Sequence, residues 1–447
     1  MTTAALPGVE RFAALFEGER RGLPGGGLTW LDSARKAACE AFRAQGLPTI
    51  KTEGWRFTSA EALLKPEFVL AERPRTRGGF GRRALCPIVF HRIVVQNGKV
   101  QPDGDGSVYS NLPAGVSVKS LAEVLSEDPE SLQKPLLQAF DKNGLPFAAL
   151  AEAMFGGGIV VRIARHARLD KPLAILFDSG DSESGTPQMV HLRVLILLEE
   201  GATAEIVEES VGSGETRFWT NLLTQVVLGE GASLKHYRLL REGERGVQTS
   251  STFVEAGRSA RYESHVFNFG GEFSRSDLRV RLAQDGAECA LSGLSLLRGR
   301  EIVDHHTVVE HACVGSTTRQ LYKAVIDGKA RFVFDGLADV RPGAQKTDAW
   351  VYNKNLLLSE DSAVRTNPEF KILADDVSCK HGGTIGQLSS EALFYLRSRG
   401  VGADEARRML VYAFGSEMIE RVGLMPLREA LAASLQARMP EASEGGL

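Results

Sequence analysis

Cysteine is scarce in this chain and poorly arranged for cross-linking. Cys39, Cys86, Cys289, Cys313 and Cys379 are scattered and form no CxxC pair. An odd number without such spacing speaks against a disulfide framework, a zinc ribbon or a ferredoxin-type cluster carried by this chain alone. A reducing, cytoplasmic setting is expected. Long hydrophobic runs are missing too, since no window approaches the roughly 18 continuous apolar residues of a membrane span. Met1 to Glu10 lacks the charged-then-apolar pattern of a secretory signal. Charge of one sign is also lacking: 53 Lys and Arg stand against 56 Asp and Glu, for a net −3. No overall cationic field would gather nucleic acid or anionic lipid. The basic cluster from Arg73 to Arg83 sits among glycines and reads as a solvated loop. Finally, there is no G-x-x-x-x-G-K-[ST] loop, so phosphate-cradling ATP chemistry is not expected here, and Gly156-Gly157-Gly158 reads as a turn.

What is present has an ordinary balance for a folded protein. The chain has 447 residues, 43% hydrophobic and 24% charged, enough for two or three packing units. Residues 1–155 read as mainly helical. Trp30, Leu31, Ala34, Ala38 and Phe42 recur at helical spacing before Gly46 and Pro48 stop the run. From Gly156 to about residue 388 the pattern becomes period two, as where Leu278, Val280 and Leu282 interleave with Asp277, Arg279 and Arg281. That is the signature of half-buried strands. Recurring corners divide them: Gly201-Ala202, Gly231-Ala232, Gly257-Arg258-Ser259, Gly286-Ala287, Gly328-Lys329-Ala330 and Gly343-Ala344. A strand unit repeating every 26 to 30 residues at first cannot bury its face alone and must stack on its neighbours. Periodicity leaves a β-helix and a sandwich both open. Residues 389–447 turn helical, with Gly400 as a stop and Asp404 as the cap of a helix carrying Met409, Leu410, Ala413, Phe414 and Ile419.

Two clusters carry metal-ligating side chains. In the run from Asn367 to Gly382, Cys379 and His381 are two apart, so on a strand they project to the same side while Lys380 points away. A soft sulfur beside an imidazole suits iron, copper, zinc or a sulfur species; such a cysteine can equally be a packing residue. Asp375 and Asp376 read as corner residues. In the run from Ile302 to Cys313, His305, Thr307, Val309, His311 and Cys313 share one face, and Asp304, His306, Val308 and Glu310 the other. His305 and His311 stand about 20 Å apart along an extended strand, too far to grip one ion, and are expected in side-chain stacks. Asp304 with Glu310 is the nearest approach to the acidic groove of a carbohydrate-active β-helix enzyme, the alternative functional class.

The run from Asn367 to Gly386, followed by Glu391-Ala392-Leu393-Phe394-Tyr395-Leu396-Arg397-Ser398-Arg399-Gly400, resembles the SufB/SufD family of iron–sulfur cluster assembly, on its SufD side. Arg319-Gln320-Leu321-Tyr322-Lys323, Lys346-Thr347-Asp348 and the N-terminal Thr52-Glu53-Gly54-Trp55-Arg56-Phe57-Thr58 are similar to motifs of the same family. The likeness is dense from about Glu255 to Glu420 and thin before Leu145. It implies a mainly β fold: a right-handed parallel β-helix core (156–388), an N-terminal mainly helical region (1–155) and a C-terminal helical region (389–447). It implies a non-catalytic scaffold subunit of a SufB–SufC–SufD type complex, with no stably bound cofactor of its own. Iron or a nascent cluster would pass transiently between His381, with Cys379 beside it, and a SufB-like paralogue. A SufC-like ATPase would dock on the C-terminal helices, where Tyr412, Phe414, Glu417 and Met418 are the candidate contacts. The isolated chain could also pair with itself.

Overall fold

The computed structural model describes residues 7–60, 66–71, 84–85, 90–101, 112–138, 140–179, 185–212 and 216–439; the Arg73–Arg83 cluster and Cys86 lie outside them. The period-two runs are strands, and they coil. One ten-stranded sheet contains β5 (Gly157–Ile163), β7 (Gln188–Leu198), β9 (Phe218–Leu228), β11 (Gly246–Ala256), β13 (Phe273–Leu282), β15 (Ile302–His311), β17 (Arg331–Val340) and β19 (Ala363–Ile372). The other contains β6 (Leu173–Ser179), β8 (Thr203–Gly212), β10 (Ser233–Arg241), β12 (Arg261–Asn268), β14 (Glu288–Leu297), β16 (Thr317–Ile326), β18 (Thr347–Leu357) and β20 (Val377–Gly386). Odd strands pair with odd and even with even, all in parallel. Each turn thus gives one strand to each sheet. This is a two-sheeted β-solenoid.

Register explains why the sequence alternates. Along one inner row the chain places Ile196, Val226, Val254, Val280, Val309, Ala338 and Phe370 one above another. All but the last are buried. β-branched side chains suit this pleated, enclosed wall. The corners stack as well. Gly201 N–H donates to the Glu230 carbonyl (2.8 Å), Gly231 to Arg258 (2.8 Å), Ser259 to Asp285 (3.0 Å) and Gly286 to Val314 (3.1 Å). Each turn has a second corner on the opposite edge, where Lys329 N–H meets the Gly299 carbonyl. Gly328 belongs to this second edge, whereas Gly201, Gly231, Gly257, Gly286 and Gly343 belong to the first.

The two ends of the coil differ. At the first, β2 (His91–Gln96) and the antiparallel β3 (Lys99–Gln101) extend one sheet from β6. The antiparallel β4 (Val116–Ser120) and the parallel β1 (Val69–Leu70) add to the other. Strands from within the first 155 residues therefore close the solenoid, alongside helices α1 (Pro7–Glu19), α2 (Thr29–Gln45), α3 (Leu121–Glu127), α4 (Glu130–Leu137) and α5 (Pro146–Met154). On the outer face of the first sheet Trp219, fully buried, meets Phe12, Phe68 and Phe147 edge-on. At the far end β19 and β20 are the last strands of their sheets, and among the described residues nothing pairs beyond them. C-terminal helices α6 (Ser390–Ser398), α7 (Ala403–Ile419) and α8 (Met425–Ala437) follow. Val411, Met418, Leu427, Leu431 and Leu435 pack against Tyr237, Leu239, Phe267 and Leu294 of the second sheet. Gly402, not Asp404, is the N-cap of α7; Asp404 lies in the first turn, where the helix dipole favours a carboxylate. No helix among the described residues is long and apolar enough to cross a membrane.

Candidate functional site at the open end of the solenoid

Two inner rows of the second sheet run to the open end. Ile206, His236, Ser264, Leu291, Gln320 and Val351 are in register with one another and then with His381. One pleat earlier, Thr318 and Ala349 lead to Cys379. Every turn above is covered by the next one; among the described residues no further strand pairs beyond the last turn. His381 is exposed and Cys379 half-buried against the core.

The imidazole is oriented by the facing strand. His381 Nδ1 lies 2.8 Å from the Pro368 carbonyl oxygen, and the ring stacks on Phe370 at 4.8 Å with 22° between planes. A carbonyl only accepts, so Nδ1 carries the proton and Nε2 is left as the basic, ligating nitrogen. Pro368 and Phe370 are in register with the inward Gly336 and Ala338, so they share the open mouth with His381. Burial, the largest cause, raises the Cys379 pKa, with a smaller push from Asp348, against a hydrogen bond with the Ala349 backbone. The group is thus a thiol at neutral pH, and a soft cation would be needed to draw out the thiolate. Among the described residues no group of three or more His, Cys, Asp or Glu is placed to hold an ion. Two donors on one strand leave coordination incomplete.

The other candidates resolve differently. His305 points inward, 3.2 Å from Ser295 Oγ and packed on Tyr322 and Phe332. His311 Nδ1 and Nε2 lie 2.8 and 3.0 Å from the Ser316 and Thr318 hydroxyls. Burial pushes their pKa values down to about 3 and about 4, so both are neutral core residues. Asp304 accepts from Arg275 at 2.8 Å and from Thr58 at 2.7 Å, while Glu310 is 3.0 Å from Arg341. Each carboxylate is held by its own arginine, and they form no shared acidic groove.

Of the expected docking residues, Met418 is 1% exposed and Tyr412 and Phe414 are half-buried in the apolar layer against the solenoid. Lys323 Nζ donates to the Phe414 carbonyl (2.9 Å) and to Glu417, and lies over the Phe414 ring. These side chains fasten α7 inward. On these helices the large apolar side chains left outside are Phe394 (76% exposed) and Tyr395 (57%) on α6, Met409 on α7 and Met425 at the start of α8. Phe394 and Tyr395 stand between the half-buried Leu393 and Leu396, a placement legible in the helical spacing.

The chain matches the family profile described as SUF system FeS cluster assembly, SufBD core domain, over residues 179–414. It matches the SufBD protein N-terminal region over residues 8–175. The chain belongs to the SufBD family. An iron–sulfur cluster assembly SufBD family protein of Synechocystis is 30% identical over 91% of each chain. The iron–sulfur cluster assembly protein SufD of Escherichia coli is 29% identical over 88% of this chain and 90% of its own length. Protein ABCI7, chloroplastic, of Arabidopsis thaliana is 28% identical over 89% and 84%. SufBD membership thus places the chain in iron–sulfur cluster assembly within the SUF system.

Proposed function

We propose that this chain is a non-catalytic scaffold subunit whose open terminal turn forms half of a cluster-assembly seam. A SufB-like paralogue supplies the other half, and His381 ligates incoming iron or a nascent cluster through Nε2. Cys379 acts beside it once the metal has drawn off its proton. A SufC-like ATPase docks on the outer side of the C-terminal helices, where Phe394, Tyr395 and Met409 are exposed. The observation that supports this reading is the position of His381: it ends a row of otherwise buried side chains at a mouth bordered by two edge strands. Unpaired strand edges are ready templates for another chain. Neutral imidazole and thiolate are both competent iron donors. The test is to reconstitute the assembly with His381→Ala or Cys379→Ala and measure iron content and cluster transfer. A severalfold loss in His381→Ala is expected, with a smaller one in Cys379→Ala. Unchanged loading in both variants removes the site.

A further inference from the structure

The N-terminal Trp motif lies across the outer face of the first sheet, against strands more than two hundred residues later in the sequence. Register on that face aligns Arg275 (β13), Asp304 (β15), Val333 (β17) and Arg365 (β19) in one row. Residues 54–58 touch three members of it. Arg275 Nη1 donates to the Gly54 carbonyl at 2.7 Å, and its guanidinium lies 4.0 Å over the Trp55 ring. Thr58 Oγ1 donates to Asp304 at 2.7 Å. Arg365 lies 4.6 Å over the Phe57 ring. The first contacts are deeply buried: Trp55 is 1% exposed, Arg275 2% and Asp304 1%. The last is at the surface, with Phe57 45% exposed.

We infer that this segment is a brace on the terminal turn, anchored at Trp55, Arg275 and Asp304 and reaching through Phe57 to Arg365 on β19. Among the described residues β19 is an edge strand, paired in ladder only with β17, and edge strands fray first. The same strand offers Pro368 and Phe370 to His381 on its opposite face. Holding Arg365 therefore holds the carbonyl and the ring that orient the imidazole. Phe57 and Arg365 are positioning residues; they do not touch the proposed cargo. The functional meaning rests on the role proposed for His381, while the mechanical part does not.

The full chain with Phe57→Ala is compared with wild type by hydrogen–deuterium exchange and by NMR cross-relaxation between the His381 and Phe370 rings. Exchange across residues 363–372 is expected to speed up about two- to fivefold, the scale of one exposed cation–π contact. β13 and β15 should be unaffected, and Phe57→Tyr should restore protection. The His381–Phe370 ring cross-peaks should weaken in Phe57→Ala and return in Phe57→Tyr, while those of the buried His305–Tyr322 pair stay unchanged, which a general loss of stability would not produce. Unchanged exchange over 363–372, or equal acceleration throughout the sheet, overturns the brace. Faster exchange with unchanged His381–Phe370 cross-peaks overturns its positioning role. If His381→Ala leaves iron loading intact while Phe57→Ala still loosens β19, the cluster-site reading falls and the brace stands.

Discussion

Glu242 shows how far the enclosure of this coil can move one side chain's chemistry. It is 6% exposed, and Oε1 accepts from the Thr220 hydroxyl at 3.1 Å. An alanine-sized side chain at Gly212 would come within 2.6 Å of Oε2, and one at Gly246 within 2.5 Å of the Glu242 Cβ. Burial, with a smaller push from Asp178, raises the carboxyl from near 4.5 to about 7. Between those two values the folded chain holds a proton that the unfolded chain has lost, so stability falls as pH rises through the window. Glu242→Gln keeps the shape without the ionisation. It should match wild type near pH 4 and exceed it by about 3 kcal/mol at pH 8, as read from urea midpoints at the two pH values. An equal difference at both would show that the site accommodates the carboxylate. Asp304 has the opposite sign: burial resists its ionisation, yet Arg275 and His306 hold its pKa well below the carboxylate range.

Among the elements, α7 is tied to the solenoid by a buried cation as well as by its apolar face. Lys323 is 3% exposed and is shared between the Phe414 carbonyl and Glu417, which is about half exposed. Glu417→Ala leaves that ammonium with the carbonyl and ring alone, and should cost about 1–2 kcal/mol in denaturant titration. Adding Lys323→Met should recover most of it, because the charge then no longer needs a partner; no recovery would place the loss in helix packing. This contact also marks what the sequence could not convey. Helical spacing identified α7, but an amphipathic pattern does not say what its face meets, so which of Tyr412, Phe414, Glu417 and Met418 turn outward stayed open until the packing of the helix was seen. The strands behave alike. Period two sorted residues 302–311 correctly into two faces, while Cys313, expected on the same strand, falls in the corner that follows it; which face is the lumen depends on register with β13 and β17. Corner spacing was legible because each turn repeats a left-handed position, at Gly201, Gly231, Ser259 and Gly286. The pairing of Cys379 with His381 was legible from a two-residue interval. Their partners Pro368 and Phe370 were not, because that contact spans the gap between the two sheets. The Trp motif showed only as a likeness: its anchors Arg275 and Asp304 lie more than two hundred residues away.

Taken whole, the molecule is a coil with one end closed and the other open. β2, β3 and β4 cap the first turns, whereas the last turn presents Ile372 (39% exposed), Leu373 (51%) and Ile385 (51%) beside the unpaired sides of β19 and β20. Stacked-repeat proteins need a polar cap at each end, and an apolar end without one is a surface for another chain. In the assembly proposed above a paralogous solenoid would cover it, since its own last turn could continue both sheets and bury those side chains together. Charge placed there should stop the pairing without touching the core. The double variant Leu373→Lys, Ile385→Lys is expected to fold with a melting temperature within a few degrees of wild type. It should nevertheless weaken association with the SufB-like subunit at least tenfold by light scattering after size exclusion. Retention of ATPase capture by the same variant would separate this surface from the one at Phe394 and Tyr395. If the variant pairs as tightly as wild type, the seam lies elsewhere, and His381 is left at an end that no partner covers.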